Sequence, residues 1–163
     1  MRFNGIALMA GAMLLAACGG GESKPADTAA ATPTVTPAPA APTGTATAMP
    51  ITGKTHEVSM VGDEKGYRFE PVALTVAAGD GIKFLMISGG PHNIAFDPAT
   101  VPEDVKAQLQ ANLPNSPGEF SSPMMMAANE AWTVSMGGVK AGKYSLICTP
   151  HLAMGMKMDV TVQ

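Results

Sequence analysis

Near its C-terminus the chain carries a thiol, an imidazole and two thioethers in one short segment, Cys148-Thr149-Pro150-His151-Leu152-Ala153-Met154-Gly155-Met156. Runs that read as β-strands bound it on both sides. Residues 143–148 lead in, and residues 156–162 lead out. In the second run Met158, Val160 and Val162 share one face, and Lys157, Asp159 and Thr161 share the other. A turn between two strands delivers its side chains to one end of a sheet. The chain must therefore fold so that soft metal donors meet at a pole of a β structure.

The remaining pattern agrees with an all-β domain. Residues 56–61, 67–70, 72–76, 82–87, 92–96 and 131–136 read as further short strands, separated by Gly- and Pro-containing turns. Pro71 between two of these runs suits an edge or a bend. Residues 101–113 have helical character, with Pro102 at the start, Glu103 and Asp104 in the first turn, and Val105 and Leu109 four apart. Seven or eight strands with one short helix predict a Greek-key β-sandwich. No repeat is visible. The expected domain, residues 51–163, is long enough to bury a core without disulfides.

The N-terminal part has a different texture. Arg2 is followed by the apolar stretch 5–17, which predicts a secretory signal segment of residues 1–17 rather than a membrane span. Leu15-Ala16-Ala17-Cys18 resembles the bacterial lipobox, which implies cleavage before Cys18 and lipidation of its sulfur. Two or three acyl chains give stable anchoring where one is marginal. Gly19 and Gly20, with no Asp after the Cys, resemble an outer-membrane address in diderm bacteria. Residues 22–50 are nearly all Ala, Pro and Thr, with Val35 and Met49 the only large apolar side chains. Such a segment cannot bury enough apolar surface to fold, so residues 18–50 read as an extended, disordered tether. The expected location is the cell envelope, lipid-anchored and facing the periplasm.

Cleavage after Ala17 leaves Cys148 as the one cysteine of the folded part. An unpaired cysteine in an oxidising compartment is a liability unless it is buried or its sulfur is occupied. Thiolate, imidazole and thioether together suit copper, and a His₂Cys trio with a weak axial Met is the blue-copper arrangement. Zinc prefers four strong donors. Of the two other histidines, His92 enters a strand after a Gly-Gly-Pro loop and is the better second imidazole. His56 opens the first strand with no ligand type beside it and reads as structural. A net charge of −3 and ten basic residues with no basic run exclude a nucleic-acid partner.

Cys-Thr-Pro-His-Leu-Ala-Met-Gly-Met resembles the copper loop of pseudoazurin, and its Cys-x₂-His-x₄-Met spacing is also that of plastocyanin. Pro91-His92-Asn93-Ile94-Ala95-Phe96-Asp97 is similar to the upstream histidine segment of plastocyanin, and Phe69-Glu70-Pro71 and Val76-Ala77-Ala78-Gly79-Asp80 to its early strands. The resemblance, to the type 1 blue-copper (cupredoxin) family, covers residues 55–163. It implies one copper ion held by His92, Cys148, His151 and Met156, with Asn93 bracing the loop and hydrogen bonding at the thiolate. An amicyanin-like Cys-x₂-His-x₂-Met spacing would select Met154 instead. Gly155 and the distance to the 160–162 strand favour Met156.

The resemblance further implies a one-electron carrier and not an enzyme, and the lipobox-like segment ending at Cys18 would tether it to a membrane. Cys148 is flanked by Ile147 and Thr149, not by the bridging histidines of multicopper enzymes. Ile147 also stands where plant plastocyanins have a tyrosine, and C-terminal helices of the pseudoazurin kind are not expected after Val162. The family's surface histidine edge falls on His151, in an apolar patch of Pro91, Leu152, Ala153 and Met154. Expected partners of this monomer are redox proteins, such as a basic cytochrome c or a membrane oxidoreductase, and the membrane through the lipid. The alternative function is a copper chaperone or scavenger lipoprotein, for which Met124-Met125-Met126 could supply Cu(I) thioethers.

Overall fold

The structure, a computed structural model, describes residues 46–163. The signal segment, Cys18 and the tether up to residue 45 lie outside the described residues. Eight strands form two four-stranded sheets. β1 (Thr55–Asp63), β2 (Gly66–Glu70), β4 (Gly81–Met86) and β6 (Ala131–Ser135) make the first, in the order β2-β1-β4-β6. β3 (Ala73–Val76), β5 (Ala95–Phe96), β7 (Gly142–Ile147) and β8 (Lys157–Val162) make the second, in the order β3-β8-β7-β5. β1 pairs with β4, and β3 with β8, in parallel; the other pairs are antiparallel. The Greek-key β-sandwich expected of the sequence is the observed fold class.

Period-two patterning builds the core. Val58 and Met60 of β1, Ile82, Phe84 and Met86 of β4, Trp132 and Val134 of β6, and Met158, Val160 and Val162 of β8 all face inward and are buried. Helix α1 (Glu103–Ala111) adds Val105 and Leu109 to the same cluster. Its first turn carries Glu103 and Asp104, where acidic charge favours the helix dipole. It begins two residues later than residue 101, because Pro102 has the extended ψ of 144° and serves as N-cap.

Two segments depart from their sequence reading. The strand expected over 92–96 shrinks to Ala95–Phe96, with isolated bridges His92–Met125 and Ala95–Ser121. Side chains take over the ladder there: the Ile94 N–H donates to Ser122 Oγ at 3.0 Å, and the Asn93 side chain turns to Thr149. Packing also begins upstream of residue 51. Gln108 Nε2 donates to the Thr47 carbonyl at 3.0 Å, and the Met49 N–H donates to Asn112 Oδ1 at 2.9 Å. Thr52 and Gly53 N–H groups then bond the Gly79 carbonyl. These contacts use backbone groups, so an Ala/Pro/Thr composition does not forbid them. Among the described residues no helix is long and apolar enough to cross a membrane.

Candidate metal centre

The nine-residue segment folds as a kinked 3₁₀ segment, Thr149–Met154, between β7 and β8. Gly155 closes it at φ 81°, a conformation a side chain would disfavour. The N–H groups of Cys148 and Met156 bond the Met156 and His151 carbonyls respectively, at 3.1 and 3.2 Å, which draws the loop into a tight knot. The chain thus re-enters the sandwich at Met156, which is 0% exposed, whereas Met154 is 59% exposed.

Cys148, His151 and His92 come together inside this end of the sandwich. One donor atom from each lies within 4.8 Å of the others, and all three residues are buried. Cys148 Sγ is 3.5 Å from Nδ1 of His92 and 3.5 Å from Nδ1 of His151; the two Nδ1 atoms are 3.2 Å apart. The orientation of His92 is fixed from behind. Its Nε2 lies 2.8 Å from the Ser88 carbonyl, which can only accept, so Nε2 carries the proton and Nδ1 presents a lone pair inward. Two imidazole nitrogens and a sulfur crowded this way repel unless a proton or a cation sits among them.

Electrostatics point the same way. Burial pushes the Cys148 thiol above its ordinary pKa, while N–H groups of Asn93 and His151 aimed at the sulfur work against that shift. The His151 pKa is lowered, first by burial and then by His92. A buried thiol beside two imidazole nitrogens is a set that a soft cation completes by displacing the thiol proton. Thiolate with two imidazoles and a nearby buried thioether fits copper, and a structural zinc would want a fourth strong donor.

Asn93 ties the two ligand loops together. Its Oδ1 accepts the Thr149 N–H at 2.8 Å, and its Nδ2 donates to Thr149 Oγ1 at 3.2 Å. Pro91, Leu152, Ala153 and Met154 are exposed. His151 itself is only 6% exposed, so its edge reaches solvent far less than the patch around it. In the Met-rich run, Met125 is buried and its backbone bonds both ways with His92, while Met124 and Met126 are exposed. His56 is remote in role: its Nε2 pairs with Asp80 Oδ2 at 2.8 Å.

A family model for copper-binding proteins of the plastocyanin/azurin family matches residues 56–163. This chain belongs to that family. Plastocyanin of Prochlorothrix hollandica is 34% identical over 116 residues, spanning 71% of this chain and 79% of that protein. Plastocyanin A/B of Petroselinum crispum is 37% identical over 107 residues, spanning 65% of this chain and 98% of that protein. The solved structure of oxidised plastocyanin from the fern Dryopteris crassirhizoma has 33% identity and a TM-score of 0.52; the match covers 66% of this chain and all of that one. The cofactor is accordingly one type 1 copper ion, and the His-Cys-His cluster with its neighbouring Met is of the matching kind. Bound there, copper supplies one-electron chemistry between Cu(I) and Cu(II). The protein's part is to hold the donors rigidly, exclude water and shield the sulfur.

Residues that sequence reasoning did not reach also shape the site. Tyr67 of β2 stacks on the His151 ring, with centroids 3.8 Å apart and 17° between planes, and meets His92 edge-on at 6.1 Å. Ser88 supplies the carbonyl behind His92 and, through Oγ, bonds the Gly62 carbonyl at 3.0 Å. The alternation around Tyr67 signalled a strand, but nothing in the sequence signalled a partner 84 residues away.

Proposed function

We propose that this chain is a one-electron carrier of the cell envelope, anchored by lipid at Cys18, with copper held by His92, Cys148, His151 and axial Met156. The observation that carries it is the buried convergence of His92 Nδ1, Cys148 Sγ and His151 Nδ1. Rigid donors favour fast transfer, because little rearranges when the charge on the metal changes. Met156 is preferred over Met154 as axial donor because it is buried beside the loop closure, while Met154 is exposed. Electrons would pass by way of the His151 ring into the patch of Pro91, Leu152, Ala153 and Met154. A small apolar face suits weak, brief encounters with a redox protein. A basic cytochrome c fits the acidic balance of the chain.

The test is to add Cu(II) to the full chain and record the visible spectrum and reversible redox cycling. An intense thiolate-to-copper band with repeated cycling is expected. Its absence sinks the blue-copper reading, and very tight Cu(I) binding without cycling favours a copper-handling role. Mass spectrometry of the mature N-terminus tests the anchor: a diacylglyceryl group on Cys18 is expected, and an unmodified Cys18 refutes it. Fractionation of inner and outer membranes assigns which of them carries it.

A further inference from the structure

The two imidazoles of the centre are held by different means. His92 has a hydrogen bond from Nε2 to the Ser88 carbonyl, and Ser88 is latched to β1 by the Gly62 N–H at 3.0 Å and by its own Oγ. That bond fixes both the tautomer and the rotation of the ring. For His151, among the described residues, no hydrogen bond reaches Nε2. Its backbone is fixed by an N–H bond to the Cys148 carbonyl at 3.1 Å, but a backbone bond does not set the rotation of the ring. What lies on the ring is Tyr67, in near-parallel contact at 3.8 Å.

The surroundings of Tyr67 are cut to receive it. Tyr67 stands opposite Gly62 in the β1–β2 ladder. A Cβ at Gly62 would lie 2.7 Å from Tyr67 Cε1 and 2.8 Å from the Gly89 Cα. A side chain at Gly62 would collide with the Tyr67 ring, so the ring lies against bare backbone there as well as on His151. The same glycine thus seats both restraints: the Tyr67 ring over His151 and the Ser88 latch behind His92.

We propose that Tyr67 is the positioning residue of His151: its ring replaces the missing outer hydrogen bond and holds Nδ1 turned toward Cys148. The role rests on the copper reading above for its consequence, but the restraint itself is a property of the polypeptide. A stacked aromatic pair contributes about 0.5–1.5 kcal/mol beyond its buried area, so losing it should loosen metal retention by about 2- to 13-fold.

The test compares the full chain with Tyr67→Phe and Tyr67→Leu. In the metal-free protein, the His151 ring protons should be shifted upfield by the stacked ring in wild type and in Tyr67→Phe. They should return to unstacked positions in Tyr67→Leu. In the copper-loaded protein, release of Cu(I) to a competing chelator should speed up about 2- to 13-fold in Tyr67→Leu and stay within about two-fold in Tyr67→Phe. His151 signals that are unshifted in wild type overturn the proposal. So do unchanged signals and release in Tyr67→Leu, even if its melting temperature falls, since that pattern is a packing role only. If the wild-type chain takes up no copper, the functional reading fails, and the metal-free signals still decide the stack.

Discussion

Removing the Asn93 side chain should separate the two ligand loops by a measurable amount even without metal. Asn93→Ala deletes the acceptor for the Thr149 N–H at 2.8 Å and the donor to Thr149 Oγ1 at 3.2 Å. Because Thr149 is exposed, water can re-satisfy its N–H, so the net value of a hydrogen bond applies rather than the larger penalty for a buried orphan. At about 0.5–1.5 kcal/mol per bond, with the longer one at the low end, the loss is about 1.5–2 kcal/mol. An unfolding entropy of about 2.1 cal/mol/K per residue, over a domain of this size, gives about 0.25 kcal/mol/K. The melting temperature of the metal-free protein should therefore fall by about 6–8 °C in circular-dichroism melts under reducing conditions. Thr149→Val keeps the N–H bond and removes only the 3.2 Å one, so it should lower the midpoint by about 2 °C. A midpoint for Asn93→Ala within 2 °C of wild type (about the Thr149→Val effect) would refute the bracing role. An equal loss in both variants would show that the Asn93 Oδ1 bond contributes nothing.

Met156→Leu, close in volume, should cost under about 1.5 kcal/mol in the metal-free protein yet shift the copper band and raise the reduction potential; Met154→Leu should change neither, and the reverse outcome reassigns the axial donor. Asp80 is held at about 2, well below the usual carboxylate range, by the His56 ring first and then by the Ala77 and Lys54 N–H groups. A folded pKa below the unfolded one means stability that is full above about pH 4 and lost as pH falls toward 2. Melts between pH 2 and 6 should show that loss in wild type and a flatter profile in Asp80→Asn. At Gly155, φ is 81° and a Cβ would meet nothing within 4 Å, so Gly155→Ala should cost about 1–2 kcal/mol from backbone strain alone; urea unfolding of the metal-free chain reads it, and a neutral variant would mean the loop closes another way.

What the sequence disclosed of this molecule was whatever depends on near neighbours. Cys148, His151 and Met156 sit in one loop, so spacing alone brings them near one another. Gly155 between the two methionines marked the reversal that buries Met156 and exposes Met154. The alternation of β8 identified Met158, Val160 and Val162 as the core face, because a strand's period assigns sides without knowing what lies on either. Contacts made across the pole were legible only where the resemblance carried them, at His92 and Asn93. The run at 92–96 has strand-like residues, but Ser122 and Thr149 compete for its polar groups, and their approach is set by the fold. Tyr67 obeys period two as any strand aromatic would. Its stacking on His151 follows only once β2 and the 3₁₀ segment meet at the same end of the sandwich. Thr47 and Met49 show the opposite failure: an apolar-poor composition argued for a free tether, yet composition counts side chains, and these residues dock on α1 through backbone groups that every sequence carries.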